Sequence, residues 1–219
     1  MKKLNLLPIL LLGSLSMPSL VQAEGLALSG NVGVMSNYIY RGMTQTNDKV
    51  SVKAGVNAFY NGFYAGATIL TVDFNTDDNF EIDYFAGYTN NLGIFTYDMN
   101  VFITSYDGST DHSTEVALGV SWPCQVVDDL TLGATYAKGI DEAPDNFNVK
   151  ASYDLKVATV EADYNDYDTV GKAATIGASK SFQMTGYAIN AALKYTNFSS
   201  DSPYIEDQDH LYLTVEMTF

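Results

Sequence analysis

The side chains that could do chemistry in this sequence are ionisable groups at strand spacing. Glu81 and Asp83 are two residues apart, as are Glu161 and Asp163, while Arg41, Lys53, Asp98, Glu115, Lys150, Lys172, Lys194 and Glu216 stand singly. A separation of two places both carboxylates on one face of a β-strand, looking into a common space. Charges gathered in this way have two uses. They can maintain a field that orders water and selects polar solutes, or they can neutralise one another and fill the space, because charges withdrawn from water usually pair. Glu81, Asp83, Asp98 and Glu115 come from one part of the chain, and Arg41, Lys53, Lys172 and Lys194 from others. That distribution predicts opposed acidic and basic walls, blurred by Glu161 and Asp163 beside Lys150.

Other chemistries fit less well. Acyl transfer needs a nucleophile, a base and an orienting group on rigid supports. The two histidines, His112 and His210, stand in no local pattern of that kind. Both read as solvent-exposed polar residues, and no enzyme activity or cofactor is expected. Asp73-Phe74-Asn75-Thr76-Asp77-Asp78-Asn79 has the one-three-five oxygen spacing of a calcium loop, but Asp78 replaces the glycine at position six and Tyr84 the glutamate at position twelve. It reads as an acidic, solvated loop with no metal. Acidic stretches at Asp141-Glu142 and from Asp201 to Asp209 could gather divalent cations weakly. Cys124 has no partner for an intrachain disulfide and no histidine close in sequence.

The elements that must position these charges are strands. Residues 1–23 combine Lys2 and Lys3, an apolar run from about Leu4 to Leu15, and small residues at Val21-Gln22-Ala23, which is the pattern of a secretory signal peptide. Removing it takes the formal charge from -15 to -17, since both lysines leave with it. A surface this acidic excludes nucleic acid as a partner, because phosphate binding requires basic groups. Residues 24–219 form the remaining domain, in which no segment is apolar enough for a spanning helix. The 16 Tyr and 17 Gly favour β structure with tight turns.

From Leu26 onward the sequence repeats alternating segments of about ten residues. The first runs to about Arg41. The second sets Val50, Val52, Ala54 and Val56 against Ser51, Lys53, Gly55 and Asn57, before an Asn61-Gly62 hairpin signal. In the third, Phe63, Ala65, Ala67 and Ile69 face out, which turns apolar Leu70 and Val72 inward against the pattern. Twelve such segments can be placed, the last from Leu211 to Phe219. Connections 41–49, 73–79, 105–113, 138–146, 165–171 and 196–208 are the longer and more polar set, and those near 61–62, 90–93, 123–129, 155–157 and 180–184 are mostly shorter. Alternating long and short connections, aromatic residues near strand ends and a terminal Phe219 predict an all-β chain: a transmembrane antiparallel up-and-down barrel of twelve strands, closed by pairing the last strand with the first. An even count places both termini on the periplasmic side.

Ser36-Asn37-Tyr38-Ile39-Tyr40-Arg41-Gly42-Met43-Thr44-Gln45-Thr46 resembles the N-terminal signature of the TorF-type porin family of proteobacteria, and Gly62-Phe63-Tyr64-Ala65-Gly66 and Glu81-Ile82-Asp83-Tyr84-Phe85-Ala86-Gly87-Tyr88 are similar to its next two blocks. The similarity is specific over about residues 26–122. It implies a porin of the bacterial outer membrane, with lipid and the barrel assembly machinery, which would read Phe219, as partners, and carries over no substrate and no catalytic residue. From the residues themselves, Arg41 is expected at the extracellular end of the first strand. There it is either a cation at a channel mouth or a pin that holds the first loop against a carboxylate. The function expected is passive diffusion of small polar solutes or ions through a lumen lined by the charges named above. The alternative is a structural or surface-binding barrel whose lumen is occluded and whose acidic loops are the working surface.

Overall fold

A computed structural model of the chain describes residues 25–109, 112–141 and 143–219. The signal-peptide reading of residues 1–23 and the Glu142 part of the acidic-loop reading lie outside the described residues. Twelve antiparallel strands close into one barrel: β1 (Ala27–Met35), β4 (Ser51–Tyr60), β5 (Phe63–Thr71), β6 (Phe80–Leu92), β7 (Phe95–Tyr106), β8 (His112–Pro123), β9 (Leu130–Ile140), β10 (Asn146–Asp154), β11 (Thr159–Tyr167), β12 (Gly171–Met184), β13 (Tyr187–Ser200) and β14 (Gln208–Thr218). Two short strands, β2 (Ile39–Tyr40) and β3 (Met43–Thr44), pair separately as a hairpin.

Closure is between β1 and β14, with Asn31 opposite Thr218 and Val34 opposite Val215. Phe219 continues the ladder, donating to the Gly30 carbonyl at 2.9 Å and accepting from its N–H at 2.7 Å. Each of the twelve barrel strands therefore has two neighbours, and no edge of the barrel sheet is left unpaired. The Asn61-Gly62 turn forms as expected, with φ of 49° and 86°, the pair of positive values that a two-residue primed turn requires.

Alternation sorts the side chains with apolar groups outward. Leu28 is 73% exposed, Val56 65% and Leu211 68%, whereas Lys53, Glu81, Asp83 and Glu115 are all at 7% or less. In a soluble barrel the sorting would be the reverse; the outer band here is the apolar one and the charges lie inside, as in a membrane-type barrel. Aromatic residues cluster beside the short turns, where Phe63 and Tyr88 approach to 4.7 Å between ring centroids and Phe95 and Trp122 to 6.1 Å.

Several boundaries differ from the sequence expectation, three of them with a reason in the local pairing or side-chain pattern. The first strand ends at Met35, not near Arg41, because Ser36 pairs sideways with β14 through its N–H to Leu213 and its hydroxyl from the Leu213 N–H, each 2.9 Å, and the chain then turns inward. The expected turn at 180–184 lies inside strand: β12 and β13 run on to Met184 and Tyr187, since Ser179, Ser181 and Gln183 alternate with Lys180, Phe182 and Met184 in a way that apolar periodicity alone does not register. The expected long connection 165–171 is reduced to residues 168–170, because β11 extends to Tyr167 and β12 begins at Gly171.

Candidate functional site

The first connection does not extend away from the barrel. Residues 36–50 fold into its interior as the β2–β3 hairpin. Ile39, Tyr40 and Thr44 favour extended backbone, and Arg41-Gly42 forms the turn with φ of 48° and 93°, so glycine supplies the second left-handed position. Gly42 is also where the tip meets the far wall. A Cβ there would stand 2.5 Å from Ala173 Cβ on β12 and 3.1 Å from Phe198 Cβ on β13. The hairpin thus reaches from β1 across the interior to the opposite wall.

Its base is anchored by a small apolar core in which Tyr38 packs with Met35, Leu70 and Val72, flanked by Phe74 and Tyr106. This is why Leu70 and Val72 break the polar-inward rule of their strand: they face a protein element, not solvent. Backbone bonds add Gln45 N–H to the Tyr38 carbonyl at 2.8 Å and Asp73 N–H to the Gln45 carbonyl at 2.9 Å.

At the tip, Arg41 donates from Nη1 and Nη2 to the two carboxylate oxygens of Glu115 on β8, each at 2.6 Å, with both side chains buried. Its guanidinium also lies 4.8 Å from the Tyr40 ring centroid and 4.6 Å from that of Tyr167 on β11. A planar cation held in a bidentate fork between two aromatic rings has few alternative positions. Of the two roles expected for Arg41, the geometry is that of the pin. The expected separation of walls is corrected accordingly, because this cation crosses to the acidic side.

The other predicted residues fall into distinct groups. Lys53 on β4 is ion-paired with Glu216 on β14, and both are buried. Glu81 accepts from the Tyr38 hydroxyl at 2.6 Å, Asp83 from Thr104 Oγ1 at 2.9 Å, and Asp98 from the Tyr64 hydroxyl at 2.8 Å and Asn100 Nδ2 at 2.7 Å. Among the described residues no lysine or arginine forms an ion pair with Glu81, Asp83 or Asp98. On the opposite wall Lys150 and Lys194 share Glu161, at 3.0 Å and 3.5 Å. Asp163 stands beside them and accepts from Asn165 at 2.9 Å. Lys172 does not face the interior. It shares the outer face of β12 with Ile176, which is 56% exposed, and pairs with Asp201 at 2.9 Å in the loop beyond β13. Strand alternation fixes that placement, since the inward positions at this level are Gly171 and Ala173.

His210 departs from the expectation of an exposed residue. Its side chain is 9% exposed and lies at the base of the hairpin, with Nδ1 2.9 Å from Asp48 Oδ1 and Nε2 2.9 Å from Gln208 Oε1. The polar residues about it carry no distinctive spacing, so only the inward fold of 36–50 reveals the contact. His112 sits at the rim, 3.8 Å from Asp141. In the calcium-like loop, Asp73 is taken up by Lys49 Nζ at 2.5 Å and by the Asn75 N–H, and Asp78 accepts from Thr76 and from the Gly108 N–H. Those bonds stabilise a loop conformation and do not converge on a common point.

A family model described as "Bacterial protein of unknown function (Gcw_chp)" matches residues 21–219. The chain belongs to that family. No curated protein matches this Gcw_chp sequence. Among solved structures, the Gcw_chp barrel is similar to the KdgM porin in complex with disordered oligogalacturonate, with a TM-score of 0.60 at 12% identity, covering 88% of this chain and 98% of that one. It is also similar to the NanC porin, with a TM-score of 0.56 at 11% identity, covering 88% and 99%. At such identities the likeness is one of fold: a closed twelve-stranded barrel of the kind porins use.

Proposed function

We propose that this chain is a porin-like channel of the bacterial outer membrane, of the TorF type, through which small polar solutes or ions diffuse passively. The observation that carries the reading is the inward-facing cluster of Lys150, Glu161 and Lys194. These side chains are between 21% and 25% exposed although they point inside a closed barrel. Room for water therefore remains beside them, within a wall whose outer face is apolar. A charged, wetted surface of this kind orders water and sets solute preference. Because Arg41 and Lys53 each hold a carboxylate, Lys150 and Lys194 share Glu161 beside Asp163, and Glu81, Asp83 and Asp98 face inward as well, the balance of the interior favours solutes without net negative charge. That differs from the acidic oligosaccharide named with the KdgM porin. Lipid contacts the outer band, and Phe219, bonded to Gly30 at the closure, is the residue offered to the assembly machinery.

One observation favours a second reading, an occluded barrel whose acidic loops are the working surface: the hairpin tip touches the far wall. Planar-bilayer recording of the refolded chain separates the two. Discrete conductance steps are expected, and Glu161→Lys should move the reversal potential toward anion preference. No steps at any salt concentration would sink the channel reading in favour of the occluded barrel.

A further inference from the structure

The hairpin tip closes one end of the wetted wall and leaves the other end open. Along the inward face of β12, Gly171 and Ala173 are buried beside the tip, Thr175, Gly177 and Ser179 are half-buried, and Ser181 and Gln183 are exposed. On β13, Phe198 and Thr196 are buried at the level of the tip, and the next inward residue, Lys194, is reached by water. Lys150, Glu161, Asp163 and Lys194 thus line a chamber beside the tip. One glycine shapes it. Gly177 stands between Glu161 and Lys194 in register, and a Cβ there would fall 2.7 Å from Lys194 Cγ, so the lysine leans across β12 toward Glu161.

The four charges are not equally engaged. Lys150 holds Glu161 Oε1 at 3.0 Å, whereas Lys194 lies 3.5 Å from Oε2, longer than a strong charge-assisted hydrogen bond. Asp163 shares the inward face of β11 with Glu161 and stands opposite Lys150. Lys194 and Lys150 both act on it electrostatically. It accepts from Asn165 at 2.9 Å and, among the described residues, forms no ion pair. One cation and one anion therefore keep bonding capacity side by side, because an ammonium has several donors and a carboxylate several acceptor positions. Tyr212, opposite Lys194 on β14, brings a hydroxyl to the same level.

That arrangement discriminates among small solutes. A net anion brought to Lys194 is repelled by Glu161 and Asp163, and a net cation brought to Asp163 is repelled by Lys150 and Lys194. An uncharged solute engages neither group by charge. A solute with a carboxylate and an ammonium a few atoms apart engages both, and it disturbs only the long Lys194 contact, since a partly wetted ion pair is worth little. We infer that Lys194 and Asp163 form a binding site for zwitterionic solutes of the size of an α-amino acid, with the solute carboxylate on Lys194 and its ammonium on Asp163. Lys150 and Glu161 hold each other and fix the floor of the site. Passage of such a solute rests on the channel reading; its binding does not.

Alanine, lactate, alaninamide and lactamide share one carbon frame and one methyl group, and at neutral pH they are a zwitterion, an anion, a cation and a neutral molecule. Saturation-transfer difference NMR on the refolded full chain in detergent reads that methyl for each probe without requiring conduction. Two partly wetted ion contacts made together are worth about a factor of ten, so alanine should bind about tenfold more tightly than the other three. Asp163→Asn should abolish the preference over lactate, and Lys194→Gln the preference over alaninamide, with the barrel of each variant verified by circular dichroism. Lys172→Gln, on the outer face, should leave all four signals unchanged. Lactamide binding as tightly as alanine, no alanine signal, or an alanine preference that survives either interior variant overturns the inference. The alanine preference in a chain that gives no bilayer conductance leaves the site standing and removes the channel; conductance steps without the preference do the reverse.

Discussion

Two walls of the same interior treat charge in opposite ways. Along β4 to β8, Lys53, Glu81, Asp83, Asp98 and Glu115 are buried to 7% exposure or less. Along β10 to β13, Lys150, Glu161 and Lys194 keep a fifth to a quarter of their side chains accessible. Strand alternation turns both sets inward by the same rule, so alternation is not the cause of the difference. For Glu81 and Glu115 the cause is the hairpin, which covers them with Tyr38 and Arg41, whereas Lys53 is covered by its pairing with Glu216 and Asp98 by Tyr64 and Asn100. The barrel sequence determines the direction of each side chain, and at Glu81 and Glu115 the first connection determines that it meets protein and not water.

The sharpest way to break this asymmetry is to strand a charge on the packed wall. Glu115→Ala leaves Arg41 buried without its carboxylate, which costs about 3–5 kcal/mol. The expected result is loss of hairpin docking or an equal loss of barrel stability, read by urea unfolding of the refolded protein. Arg41→Leu with Glu115→Leu removes both charges and should recover most of that loss. If single and double variants are equally destabilised, the penalty is packing and the pin has no electrostatic role.

A smaller effect separates contact from backbone strain. Gly42 and Gly186 both have φ near 90°, but a Cβ on Gly42 meets Ala173 and Phe198, whereas one on Gly186 meets nothing within 4 Å. Alanine at either site carries the left-handed strain of about 1–3 kcal/mol. Gly42→Ala should add about 1–3 kcal/mol more from overpacking against the far wall. Equal losses at the two sites would mean that the tip does not press on β12 and β13.

The barrel was legible because its alternation is a local property. Register, closure and the inward set Lys53, Glu81, Asp83, Asp98, Glu115 and Glu216 all follow from a period of two. Even the misfit was visible, since Leu70 and Val72 pointed inward in a polar row, yet nothing local says what they pack against. The bond between Arg41 and Glu115 joins residues 74 positions apart through a hairpin whose direction depends on Ser36 pairing sideways with β14. His210 is one polar residue among several, and its partner Asp48 approaches only after that inward turn. Lys172 was misplaced for a different reason, because its parity already grouped it with Ala174 and Ile176.

The rim gives the smallest effect and sharpens the contrast with the interior, since its charges are bonded but remain within reach of salt. Asp145 accepts from the Tyr136 hydroxyl at 2.6 Å, from Lys138 Nζ at 2.9 Å and from the Gly139 N–H at 3.0 Å. The Tyr136 bond first, and the Lys138 ammonium after it, hold its carboxyl at about 2. An unfolded aspartate titrates near 3.9. The folded value is the lower one, so the stabilisation is complete above pH of about 4 and is lost as pH falls through about 2. Asp145→Asn should therefore be slightly less stable than wild type at neutral pH, with the gap closing over that acid interval. Added salt should shrink the gap at neutral pH. The Glu115→Ala loss should respond far less to salt, because solvent ions do not reach a buried pair. Urea unfolding of both variants at low and high salt tests this directly, and equal salt sensitivity would contradict the division between a screened rim and a closed wall.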